Sequence, residues 1–181
     1  MMVVVFDLET QGLDASRHHV LEIAARIYFP PGQHPPPPPP PPPLSQDFTM
    51  LVQPPTQPLV PLTSLLLHGI TPEMLLESGS LPGAAANAFK QWIEAAAAHY
   101  YAGVAINTLQ VVLAAHNCFA FDMLFLVRFF RSARVSIPEN WVFVDTLQLA
   151  RDQIPGRRSY SLDSLRTLLL PPVPSYTTAH R

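Results

Sequence analysis

Asp7 and Glu9 stand one residue apart at the end of an apolar run, in the opening MMVVVFDLETQGL. The run Val3 to Phe6, bounded by Gly12, reads as a fully buried strand. Alternation places both acids on one face of it. Two carboxylates side by side at the edge of a core repel each other and lose hydration. A divalent cation held between them would relieve that, and so would a proton on one of them. A solvated strand end that carries two acids is the plain alternative. A second stretch, AAHNCFAFDMLFL, repeats the logic: a buried strand, a polar break at His116-Asn117, then Asp122 inside an otherwise apolar helix. A charge there should be paired or metal-bound. The competing reading is an exposed residue or a first-turn acid favoured by the helix dipole. In an open α/β sheet the carboxyl ends of the strands collect the site residues. Asp7, Glu9 and Asp122 can therefore meet at one edge.

The elements that must position these acids follow from pattern and punctuation. Strand one is residues 3–8. Residues 17–29, RHHVLEIAARIYF, read as a second strand across a Gly-Leu-Asp turn, and residues 47–53 as a third. Between them, 30–43 is almost entirely proline. Such a run takes polyproline II, extending roughly 3.1 Å per residue, and cannot join a sheet. It is expected to be a low-complexity loop insertion, with docking of an SH3, WW or similar proline-recognising domain as a further reading. Thr71-Pro72-Glu73 marks a helix start. An Ala-rich helix follows over 83–101, a buried strand over 110–115 and an apolar helix over 119–132. A short strand covers 141–144, with Asp145 capping the helix behind it. A last helix, capped by Ser161, covers 161–170. Three strands, then helices alternating with two more, predict an α/β fold: a five-stranded mixed sheet flanked by helices on both faces.

Bulk composition narrows the function classes. At 181 residues there is room for one domain with a real core. With 48% apolar and 13% charged residues the chain should be globular. The net charge of −2 argues against coating nucleic acid through a broad basic face, but not against gripping a strand end. Most arginines lie after Phe125, so a phosphate-facing side is expected from the C-terminal half. The single cysteine, Cys118, rules out an internal disulfide and suits a reducing compartment. No apolar stretch is long enough to span a bilayer, and no targeting segment is visible ahead of the first strand. The expected setting is intracellular, cytoplasmic or nuclear.

FDLETQGL, HGIT, AHNCFAFD, VDTLQLAR, YSLDSL and AHR, in this order, resemble the 3′–5′ exonucleases of the DEDD superfamily, histidine subtype. That group includes RNase T, the epsilon subunit of DNA polymerase III and the TREX-like enzymes. The spacing of five from Asn117 to Asp122 is similar to the TREX-type branch. The resemblance covers the chain apart from the proline run and implies an RNase H-like fold, with residues 1–181 as one exonuclease domain. It implies two Mg²⁺ or Mn²⁺ ions, bridged by Asp7, with Glu9 on the nucleophile side and Asp122 on the second ion. Glu9 would also accept the 3′-OH of the substrate, and His180 would deprotonate the attacking water. Such ions, about 4 Å apart, stabilise the attacking and leaving oxygens of an in-line displacement. Mg²⁺ suits hard oxygen ligands, and a His base titrates near neutral pH. Thr10, Gly12 and Leu13, with Ile70 and Asn117, would contact the substrate. Leu13 and Ile70 would wedge against the terminal base with little sequence preference. The implied activity is release of nucleoside 5′-monophosphates from single-stranded DNA or RNA 3′ ends.

Other polar residues get plainer readings. Glu22 matches a position where relatives carry an acid without metal. Asp145 and Asp163 are helix-start acids, His116 is a structural hydrogen-bonder, and Cys118 is a small core residue. The family pattern also asks for an Asp five residues after His180, which falls past Arg181. The last catalytic helix is therefore cut short, and this 181-residue polypeptide is expected to bind metal weakly and cleave poorly. The competing class is a degenerate exonuclease fold that acts as a nucleic-acid or partner-binding module.

Overall fold

The structure, a computed structural model, describes residues 1–28, 45–55, 60–101, 103–105 and 107–170. The proline run, His180 and the expected helix around it lie outside the described residues. Five strands form one sheet: β1 (Met2–Thr10), β2 (Val20–Tyr28), β3 (Asp47–Leu51), β4 (Val111–Ala115) and β5 (Trp141–Asp145). Their order is β3-β2-β1-β4-β5. The β1–β2 and β2–β3 pairs are antiparallel, and β1–β4 and β4–β5 are parallel. This is the mixed sheet expected from the pattern.

Strand β1 alternates cleanly. Met2, Val4, Phe6 and Leu8 are buried, while Val5 is 46% exposed and shares its face with Asp7 and Glu9. The buried face is covered by α3 (Pro82–Tyr100) and α4 (Asp122–Ser132). Phe89 of α3, Phe130 of α4 and Trp141 of β5 meet edge to face, with centroids 5.8–6.4 Å apart. Such pairs add about 0.5–1.5 kcal/mol each beyond their buried area. The opposite face forms a groove of about 420 Å³. It is bordered by Thr146 of α5 (Thr146–Gln153) and Leu162 of α6 (Leu162–Leu169). One face of the sheet thus builds the core, and the other presents the acids.

Boundaries differ from the sequence reading for local reasons. Strand β2 begins at Val20, because the Arg17 and His18 amides both donate to the Asp14 carbonyl and close a turn. The β1–β2 register then slips by one residue between Glu9 and Thr10, which leaves Leu21 as a bulge. Leu21 is re-aimed into a satellite cluster with Ile70 and Leu75. Helix α1 (Leu62–His68) has no counterpart in the expected elements. It is only seven residues long, too short for a periodic signal. It ends on Gly69 at φ 72°, a left-handed cap that glycine adopts without strain. Helix α4 starts at Asp122 instead of Phe119, because residues 117–121 form a turn. The caps fall as expected. The Thr71 side chain accepts from Met74 N–H to start α2 (Pro72–Ser78), and Ser161 accepts from Ser164 N–H.

Candidate active site

Asp7 and Glu9 project from the open face of β1, opposite Ala24 and Glu22 of β2. Residues directly opposite in an antiparallel pair hold their Cβ atoms about 4.5–5.5 Å apart, and like charges there are destabilising. Glu22 is therefore a third acid on this face. A fourth acid, Asp122, the first residue of α4, is 2% exposed and lies within electrostatic reach of Asp7. Its Oδ1 is buried with no hydrogen-bond partner.

These carboxylates resist ionisation together. Burial raises the Asp7 pKa. Burial, then the charges of Asp7 and Glu22, raise that of Glu9. Burial, then Asp7, raise that of Glu22. Asp122 is pushed up to about 7, by burial first and by Asp7 second. Among the described residues the ion pairs are Arg17–Asp14, Arg26–Asp47 and Lys90–Glu94, and none reaches these four acids. No three His, Cys, Asp or Glu side chains among the described residues are gathered at ligating distance. The fit to a cation rests instead on the donor chemistry and on the orphaned Asp122 Oδ1. Hard carboxylate oxygens suit Mg²⁺ or Mn²⁺. Cys118 adds no soft ligand: burial, then Asp122 and Asp145, push its thiol up to about 11 and keep it protonated.

Asp122 is placed by a turn that another acid clamps. Asn117 adopts φ 65°, a left-handed conformation that Asn tolerates better than most residues. Its carbonyl accepts from Ala120 N–H at 3.2 Å and Phe121 N–H at 3.1 Å. Asp145 Oδ1 accepts from Asn117 N–H at 3.0 Å, and Oδ2 from Phe119 N–H at 3.2 Å. Oδ1 also caps α5 through Leu147 N–H at 2.9 Å. Burial alone would raise the Asp145 pKa, but these amide donors outweigh it and hold the carboxyl below its usual value. The capping role was legible in the sequence; the grip on the turn was not. His116 is the structural hydrogen-bonder expected, with Nδ1 3.2 Å from Thr146 Oγ1 and Nε2 2.9 Å from the Tyr160 carbonyl.

The candidate substrate loop leaves β1 at Thr10, whose hydroxyl donates to the Gly12 carbonyl at 2.8 Å. Ser64 of α1 donates to the Gln11 carbonyl at 2.8 Å. A Cβ at position 12 would lie 2.8 Å from the His18 ring, so glycine is what lets the imidazole cover the loop. Leu13 is 84% exposed and Ile70 only 3%. Ile70 packs in the satellite cluster with Leu21 and Leu75, while Leu13 presents its side chain to solvent. Asn117 keeps its side chain exposed at the other rim. His180 lies outside the described residues. Glu22 is the acid the sequence reading set aside. Its neighbour across the sheet depends on the hairpin register, and the bulge decides that register.

A family model, RNase T exonuclease, matches residues 4–181. The Arabidopsis thaliana protein "Exonuclease DPD1, chloroplastic/mitochondrial" is 30% identical over 160 residues, covering 85% of this chain and 42% of that protein. Among solved structures, E. coli exonuclease I with a dA16 oligonucleotide aligns at TM-score 0.66 and 16% identity, over 92% of this chain and 35% of its own. Its complex with a dT13 oligonucleotide aligns at TM-score 0.61 and 16% identity, over 83% and 29%. At that identity the likeness is one of fold, the RNase H-like arrangement. The chain spans less than half the length of the curated relative and about a third of exonuclease I.

Proposed function

This chain belongs to the exonuclease family, and we propose that it hydrolyses phosphodiester bonds at nucleic-acid 3′ ends, releasing nucleoside 5′-monophosphates. The observation that carries the mechanism is the buried, unpartnered Asp122 Oδ1 beside Asp7, with Glu9 and Glu22 on the same open sheet face. In this reading Asp7, Glu9 and Asp122 hold two divalent cations, Mg²⁺ or Mn²⁺. Bound there, the cations supply positive charge against the charge that develops on the scissile phosphate. Glu9 receives the 3′-terminal hydroxyl. Leu13 packs on the terminal base, and the Thr10–Gly12 backbone and Asn117 flank the strand end. His180 takes the proton of the attacking water. One exonuclease I neighbour is a complex with single-stranded DNA, and others carry dT13 or dA16 oligonucleotides, so a single strand is the first substrate to offer. An intracellular setting belongs to this reading. No helix among the described residues is long and apolar enough to cross a membrane. The curated relative is named for chloroplast and mitochondrion, so an organelle is in view beside cytosol and nucleus.

The test is digestion of a single-stranded oligonucleotide labelled at either end, with Mg²⁺ or Mn²⁺. The expected result is release of the 3′ label as a mononucleotide before the 5′ label, at the low rate expected of this polypeptide, its loss with chelator, and a fall of at least about a hundredfold in Asp7→Asn. Early release of the 5′ label overturns the polarity. Oligonucleotide binding without digestion, indifferent to chelator and to Asp7→Asn, establishes the binding module instead.

A further inference from the structure

We propose that Arg17, His18, His19 and Arg128 form a phosphate-binding track for the strand behind the terminal nucleotide. The proposal deepens the exonuclease reading and rests on it. Two separate pieces of chain lead from the acids to this patch. One is the β1–β2 loop, where the His18 ring lies against Gly12 at the substrate rim. The other is α4, which starts with Asp122 in the site and carries Arg128 six residues on. At 1.5 Å per residue that is about 9 Å along the helix axis. The two pieces are joined where an Arg128 guanidinium N–H donates to the Ala15 carbonyl. Between them lies a shallow hollow of about 50 Å³, with His18, His19, Arg128 and Ser132 on its wall and no carboxylate among its lining residues.

The charge balance of this patch points to an anion. Arg128 is exposed and has no carboxylate partner among the described residues. Arg17 lies 4.0 Å from Asp14 in a solvent-exposed pair, which is weak. Asp14 is further occupied by the Ser16 amide and hydroxyl. His18 Nδ1 accepts from the Asp14 amide at 3.1 Å, so a neutral ring carries its proton on Nε2, free to donate elsewhere. In a chain of net charge −2 whose candidate site carries four acids, a hollow beside the strand-end loop that is lined by His18, His19 and Arg128 and by no carboxylate is a local reversal of sign. It fits a backbone of repeating phosphates, and Arg is suited to grip them.

The measurement is the affinity of this chain for a fluorescent single-stranded 12-mer across a range of salt, with calcium in place of magnesium to hold back cleavage. Arg17→Gln with Arg128→Gln is expected to weaken binding about tenfold at low salt. The log–log salt slope should flatten by about 0.7 per lost contact. Lys90→Gln, on α3, serves as the control for loss of a single positive charge away from the track. Arg128→Lys keeps the cation but loses the planar grip on Ala15. Affinity recovered in that variant assigns the effect to charge, while affinity lost with it assigns the effect to the loop tether and overturns the track. Wild-type affinity and slope in the double variant also overturn it. A wild type that binds and does not digest removes the exonuclease reading and leaves the track standing. A wild type that binds no 12-mer at low salt overturns the track directly.

Discussion

Asp122 combines burial, an orphaned oxygen and a pKa pushed up to about 7. Without a cation its charge is a cost, and the sign follows from linkage. Below the ordinary carboxylate value of 3.8 both folded and unfolded chains carry the proton. Between there and about 7 the folded chain keeps a proton that the unfolded chain has lost. Stability therefore falls as pH rises through that window, and the full penalty stands above it. In chelator, Asp122→Asn should melt higher than wild type at pH 8, by roughly 2–4 °C per kcal/mol relieved, and converge with it near pH 4. The same variant should lose digestion. Thermal melts across pH check this. A variant less stable at pH 8 would show that the carboxylate is satisfied by groups other than a cation.

At the scale of elements, the turn between β4 and α4 depends on Asp145 of β5. Its carboxylate serves the α5 cap and the Asn117–Phe119 turn at once. Asp145→Ala removes both, and should cost about 2–3 kcal/mol of unfolding free energy. It should also depress digestion, because the start of α4 places Asp122. Asp145→Asn keeps one acceptor for the cap and should lose less. Because the folded pKa is lowered, this contribution is present above the ordinary carboxylate value and is lost as pH falls through the folded one. Denaturant titration of both variants checks the order, and equal stability of Asp145→Ala and wild type would dissolve the clamp. The acid pair on β1 and the caps at Thr71, Asp145 and Ser161 were readable in the sequence, since each depends on neighbours within a few residues. Helix α1 was not. Seven residues carry little periodic signal, and its Ser64 contact reaches Gln11, 53 positions away.

For the whole molecule, the open sheet face concentrates acidic side chains, and a bound cation would balance them. A ligand that binds only the folded state stabilises it by about 2.7 kcal/mol at a hundredfold excess over its dissociation constant. Mn²⁺ titrated to that excess, however weak the site, should therefore raise the melting temperature of wild type by several degrees and leave Asp7→Asn nearly unmoved. A flat titration for wild type would disconnect the acids from metal. The sequence carried by itself the α/β alternation, the five strands and the shared face of Asp7 and Glu9. Period-two burial and strand-end acids are local signals, and they survive in one dimension. The tertiary structure alone decided that Glu22 joins them, that Ile70 turns inward, and that Arg128 ties α4 to the loop at Ala15, 113 positions away. Each of these depends on a register, a bulge or a long-range contact, and a chain's own pattern does not encode which distant group will lie opposite.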